Sequence, residues 1–195
     1  RFMLLSPNNL LKPSDGGVVA VPSQDMVLGI YYMTQQREGV KGEGRYYKNI
    51  NEAILAYENG ELAFHAKIKV RVTKKDADGN VKSAMIESTL GRFLFNEVIP
   101  QDLGYVDRTN PETMFDHEIG FQVGKKQLGD IIDRCINKYG FTISAEVLDN
   151  IKALGYKYST KGAITISISD MTVPEKKKLL ISDTEQKVLT IERQY

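Results

Sequence analysis

The apolar and polar positions along the chain divide it into short strands and short to medium helices. The clearest stretch is "FHAKIKVRVTKK", where Ala66, Ile68, Val70 and Val72 alternate with Lys67, Lys69, Arg71 and Thr73. That period of two predicts a strand with one buried and one wet face. "KKDADGN" reads as its turn, with Asp78-Gly79 at the tip, and "VKSAMIESTLGRFLFNEVIP" as the return limb, broken at Gly91. Upstream, Val18, Val19 and Val21 predict a short strand between turn signals at Pro13 to Gly17 and Pro22 to Asp25. A helix is predicted from about Gln24 to Thr34, with Ser23 and Asp25 as residues suited to a helix start. "REGVKGEGRYYKN" reads as loop, after which Asn51 is predicted to cap a helix running to Asn59 and closed by Gly60.

Beyond a long loop from Pro100 to Glu118, rich in Asp, Pro and Asn, two helices are predicted. One covers Lys125 to Tyr139 and is closed by Gly140; the other covers Ser144 to Leu154, with Ser144 as N-cap and Gly155 as stop. "KGAITISISDM" alternates again, in strand fashion. Thr172 and Glu175 have capping-box spacing and Pro174 suits a first turn, so a last helix is predicted to begin near residue 173. On it Ile181, Thr184, Val188, Ile191 and Tyr195 recur at spacings of three and four. Such a stripe is either a coiled-coil seam awaiting a partner or the inner face of a helix packed on its own domain. Strands and helices mingle without βαβ regularity, which predicts an α+β fold.

With 195 residues, 42% of them hydrophobic, the chain can build one core of ordinary size, or one domain with an appendage. Twenty-six basic residues against twenty-five acidic ones leave a net charge of +1, so no global field draws it to nucleic acid or to an acidic membrane. The single Cys135 sits at helical spacing from Ile131, Ile132 and Ile136, which predicts a core thiol in a reduced, cytoplasmic protein. No apolar run is long enough for a membrane span. The first residues, "RFMLLSPNNLL", carry no initiator Met, and the final helix breaks off in mid-seam. Both ends predict a piece of a longer polypeptide.

Candidate chemistry is sparse. Asp76, Asp78, Asn80 and Glu87 mimic EF-hand spacing, but Val81 stands where the loop needs Gly, and the flanks read as strands. "QVGKKQ" lacks the Ser or Thr of a phosphate-binding loop; Gly124, Lys125 and Lys126 at a helix start could still meet a phosphate. His65 and His117 stand alone, without the spacing of a zinc site or a catalytic dyad. No acid pair and no nucleophile elbow stands out, so neither catalytic nor metal-ligating residues are predicted. One alternative is a free-standing module that binds RNA through Lys67, Lys69, Arg71, Lys74 and Lys75.

Several unusual segments, taken in order, carry a stronger signal. "LLSPNNLLKP", "VPSQDMVLGIYYMT", "KGEG", "STLGRFLFNEVIP", "GKKQL" and "ISDMTVPEKK" resemble the β′ subunit family of bacterial DNA-dependent RNA polymerases over essentially the whole chain. "FNEVIPQDLG" and "YKYSTKGAITISISDMTVP" are most similar to the version in Gram-positive, Clostridium-like bacteria. The resemblance implies a pore domain over residues 1–170 and the start of the funnel or secondary-channel rim over 171–195. It implies a channel wall for nucleoside triphosphates and for the backtracked RNA 3′ end, formed by Asn8, Asn9, Gln24 and Asp25, with Lys125 and Lys126 further out. It also implies a rim that receives secondary-channel elongation factors from Pro174 onwards, including Lys176, Lys177 and Lys178. Partners implied are the β, α and ω subunits, DNA and RNA. The Asp-rich loop that holds the catalytic Mg²⁺ in the family is absent from this sequence, so the chain alone is predicted to be inactive. Of an alarmone pocket that some relatives build from a Lys, an Asp and a Tyr, only Asp149 is present; Thr142 and Ala153 take the other two places.

Overall fold

A computed structural model describes residues 1–75, 81–110 and 113–194. The predicted Asp78-Gly79 tip and most of the EF-hand mimic lie outside the described residues, as does Tyr195 of the seam. The chain forms two units, Arg1–Ala163 and Ile164–Tyr195.

In the first unit the alternating strand forms as its pattern predicts. β2 (Lys67–Lys75) pairs antiparallel with β3 (Val81–Thr89), Lys69 opposite Glu87 and Arg71 opposite Met85. Ala66, Ile68 and Val70 are buried, and Arg71 and Thr73 face water. The segment read as loop adds a short strand, β1 (Tyr46–Tyr47), parallel to β2 with Tyr46 opposite Lys69. The sheet is therefore mixed, in the order β1-β2-β3, and with its helices makes an α+β fold. The return limb departs from the sequence reading: at Leu90 the strand becomes a helix, α3 (Leu90–Val98), whose first turn is capped by Thr89 Oγ1 accepting from Arg92 N at 3.4 Å. Leu90, Phe93 and Phe95 then fall on a buried face.

α1 (Asp25–Thr34) and α2 (Ile50–Glu58) form close to where they are predicted. The cap of α2 is Asn49 rather than Asn51, because Asn49 Oδ1 is the acceptor that reaches Glu52 N, at 2.9 Å. The Val18–Val21 strand reduces to one bridge, Leu11 to Val18, since among the described residues no second strand lies alongside to extend it.

α4 (Lys125–Gly162) joins both predicted helices, kinked at Gly140. Gly140 has φ 74° and ψ −173°, a conformation that breaks the helical hydrogen-bond ladder and is open to glycine. Helical turns resume directly after it, so Ser144 is not an N-cap. Its hydroxyl is buried, donating to Gly140 O at 2.7 Å beside Cys135 Sγ at 3.4 Å. Nor does Gly155 stop the helix. A methyl group there would lie 2.7 Å from Met26 O, and one on Gly29 would lie 1.8 Å from Gly155 O. These two glycines are the floor on which α1 and α4 cross, backbone against backbone. Ile30, Met33, Ile131 and Ile151, all fully buried, complete the core around the crossing. Each such side chain contributes roughly 1.5–3 kcal/mol over its exposed state.

In the second unit the alternating "AITISIS" finds no partner strand among the described residues, and forms irregular chain with a single 3₁₀ turn, Ile168–Asp170. α5 spans Lys176–Glu192. It begins later than predicted, without the Thr172–Glu175 box, because the chain through Pro174 only makes a turn, Lys177 N donating to Pro174 O at 3.0 Å.

Candidate functional site

The residues singled out in the sequence fall into three places. The first is the turn Ser6–Asn8, a 3₁₀ helix with Pro7 in its first positions. Asn8 Nδ2 donates to Phe2 O at 2.8 Å, and Asn9 Nδ2 to Met3 O and Leu5 O at 2.7 and 2.9 Å. The amides thus tie the turn to the residues before it, while both side chains stay exposed. Each carboxamide oxygen, with two lone pairs, is left facing water.

The second place is the entry to α1. Gln24 sits at φ 50° and ψ −120°, one of only two non-glycine residues with positive φ among those described. Backbone held in so sparse a region costs of order 1–3 kcal/mol. No side chain caps this helix: Ser23 and Gln24 instead offer carbonyls, which accept from Met26 N at 3.1 Å and Leu28 N at 3.0 Å. Asp25 opens the first turn, where its charge complements the helix dipole.

Packing brings these two places together. Leu10 buries against Ile132 and Ile136 of α4, and the glycine crossing holds the start of α1 against the second arm of α4. Between them lies a hollow of about 310 Å³ lined by Pro7, Pro22, Met26, Leu148, Asp149 and Lys152 among others. Asp149 pairs with Lys152 at 2.8 Å, and that carboxylate holds the ammonium above its ordinary pKa. Asn8, Asn9, Gln24 and Asp25 belong to the segments that border the hollow, yet none of them lines it.

Lys125 and Lys126 form the third place, exposed at the N-terminus of α4. They are apart from the hollow. Gln127 Oε1 turns back to accept from Gly124 N at 3.1 Å, which uses one of the free N–H groups a phosphate would need. What fixes this helix start escaped the sequence reading. Thr34, wholly buried at the end of α1, donates to Ile30 O at 2.9 Å and accepts from Val123 N at 2.9 Å. Arg92 ties the same corner, donating to Thr34 O at 2.9 Å and Gly120 O at 2.8 Å. A Thr ending an apolar helix is the only local sign of this role; its partner lies eighty-nine residues away.

The described part of the 100–118 loop is tied down around a buried carboxylate. Glu118, 1% exposed, pairs with Arg108 at 3.0 Å and accepts from Tyr105 N at 2.7 Å. Arg134 donates to Leu103 O and Gly104 O and stacks 4.0 Å from the centre of the Tyr105 ring. His65 is buried, its Nδ1 3.2 Å from Gln35 O and its ring edge-on to Tyr32. Desolvation pushes its imidazole below the ordinary value of 6.5, outweighing the hydrogen bond to Gln35. His117 Nδ1 lies 3.2 Å from Gln101 Oε1. Cys135 is a buried free thiol, as its helical spacing predicts. Among the described residues no group of three His, Cys, Asp or Glu side chains could hold a metal ion.

A sequence profile described as RNA polymerase Rpb1, domain 3, matches residues 9–171. The chain belongs to this family. Over its full length it is 63% identical to the DNA-directed RNA polymerase subunit β′ of Lachnoclostridium phytofermentans, 59% to that of Acetivibrio thermocellus and 57% to that of Clostridium novyi. It covers 16%, 17% and 16% of those proteins, so it spans about a sixth of the length of the relatives it matches. The Clostridium-like resemblance read from "FNEVIPQDLG" agrees with these relatives. No helix among the described residues of this polymerase-family chain is long and apolar enough to cross a membrane. In its second unit, Pro174, Lys176, Lys177 and Lys178 are all exposed at the start of α5.

Proposed function

We propose that this chain is part of the wall of the channel by which nucleoside triphosphates reach, and backtracked RNA leaves, the active centre of a bacterial RNA polymerase. It supplies no catalytic residue. The setting in this reading is the cytoplasmic polymerase, with β, α and ω subunits, DNA and RNA as partners; membership of the family supports it. Residues 1–170 form the pore domain and 171–195 begin the rim, where elongation factors meet Pro174, Lys176, Lys177 and Lys178. Such a wall must recognise a polyanionic cargo reversibly. Uncharged amides can hydrogen-bond bases and sugars without trapping them, while a few lysines steer phosphates.

The observation that carries this reading is Gln24. Its left-handed backbone is strain that the local sequence does not require, it borders the same hollow as the Asn8–Asn9 turn, and such strain concentrates at binding sites. Asp25 beside it prevents the anionic cargo from binding too tightly. Lys125 and Lys126, held by Thr34 and Arg92, serve as outer steering charges. In an intact polymerase carrying this segment, Gln24→Ala and Asn8→Ala are expected to change the lifetime of backtracked complexes and the rate of transcript cleavage severalfold. Promoter binding stays as it was. Unchanged backtracking in both variants refutes the assignment.

A further inference from the structure

The sheet has a second face that the channel reading leaves unused. The register places Tyr46, Lys69 and Glu87 in one row across it, and Arg71 and Met85 in the next, with Lys48 following Tyr47 at the edge. All of these except the half-buried Lys69 are exposed; Tyr46 is 67% and Met85 43% exposed. Tyr46, Lys48, Arg71 and Met85 surround a shallow hollow of about 400 Å³, floored by Tyr47 and bordered by Glu52.

The charges on this face are sorted. Glu87 is ion-paired to Lys67 at 3.0 Å, and Glu52 Oε2 accepts from the backbone N–H of Lys48 at 2.6 Å, which fixes that carboxylate at one edge of the hollow with its charge retained. Lys69 Nζ lies 5.2 Å from the centre of the Tyr46 ring and 3.3 Å from its hydroxyl, holding the ring in place from one side. Among the described residues, the guanidinium of Arg71 and the ammonium of Lys48 have no carboxylate partner. The result is an open aromatic ring and a thioether beside two unneutralised cations. Tyr46 is there only because β1 pairs with β2, which the loop reading of "KGEGRYY" missed.

We propose that this face binds single-stranded RNA, one base stacking on Tyr46 against Met85 and the adjoining phosphates meeting Arg71 and Lys48. A flat π surface accepts any base, and separate cations follow the backbone, so the contact is sequence-tolerant and salt-dependent. It narrows the basic face expected from the sequence: Lys67 is excluded by its ion pair, and Tyr46 and Lys48 are added. It does not depend on the channel assignment, which rests on other residues.

The test is fluorescence anisotropy of a labelled twelve-nucleotide oligouridine titrated with the 195-residue chain at several salt concentrations. Tyr46→Ala is expected to weaken binding about tenfold, and Tyr46→Phe, which keeps the ring, to bind nearly as the parent does. Lys48→Gln with Arg71→Gln is expected to make the slope of log affinity against log salt shallower by about 1.4. Lys67→Gln should leave that slope unchanged. Far-UV circular dichroism of each variant separates lost contact from lost fold. No salt-dependent binding by the parent overturns the proposal and leaves the face for a protein partner. So does binding that Lys125→Gln with Lys126→Gln abolishes while Tyr46→Ala leaves it intact.

Discussion

α1 and α5 both present apolar residues at helical spacing, yet their fates differ. In α1 that stripe is sealed: Ile30 and Met33 have no exposed surface, and Gly29 meets the Gly155 backbone of α4. In α5 Leu180, Ile181, Val188 and Leu189 remain 47–65% exposed, lining a groove with Thr184. Periodicity therefore identifies a face that needs cover. It does not say whether the cover is already in place. The sharper sign was the glycine, because a helix gives up about 1 kcal/mol of propensity to carry one and keeps it where a neighbouring backbone must come close.

The largest expected effect breaks the sealed side of this comparison. Gly29→Ala should improve helix propensity by about 1 kcal/mol, yet it places a methyl group 1.8 Å from a carbonyl oxygen that cannot swing away. The net expectation is a loss of about 3 kcal/mol or more in urea unfolding. An unchanged or higher midpoint would mean that the two helices do not cross here.

A smaller effect tests how dry the sealed core is. His65 packs between Tyr32 and Phe64, and burial lowers its pKa in the folded state. Below about pH 6.5 the unfolded chain takes up a proton that the folded one resists, so stability falls as pH drops through 6.5 and levels off below the folded pKa. In His65→Phe that component should vanish from a plot of unfolding free energy against pH. Identical pH profiles for the two proteins would show an imidazole open to solvent.

The smallest effect belongs to α5. Leu180→Ser with Val188→Ser should leave the thermal unfolding of the first unit within about 0.5 kcal/mol of the parent, because exposed positions carry little folding energy. A loss of several times that amount would show that the stripe is covered after all, and the contrast with α1 would disappear.

Local physics made much of the first unit legible. Strict alternation fixed β2 and its inward residues, and helix periodicity found α1, α2 and both arms of α4. Misreadings gather where a signal has two physical causes. Gly155 was read as a helix stop because glycine both ends helices and admits neighbours; Gly140 is the one that breaks the helix, and Gly155 the one that admits α1. "AITISIS" alternates in strand fashion, which shows a willingness to pair, and among the described residues it has no pairing partner. Of the candidate site, Asn8, Asn9, Gln24 and Asp25 could be named from unusual segments. That two of those segments border one hollow, with Lys125 and Lys126 elsewhere, could not.

By itself the sequence determined the class of the fold and the faces that seek burial, which depend on neighbours a few residues apart, and the family, which rests on unusual segments in a fixed order. Only the tertiary structure decided which glycine is a crossing point, that Gln24 is strained, that Thr34 anchors Val123, and that Tyr46 stands beside Lys69 and Arg71. All but the Gln24 backbone join residues that chain connectivity leaves independent, and tertiary packing alone brings them within a few ångströms.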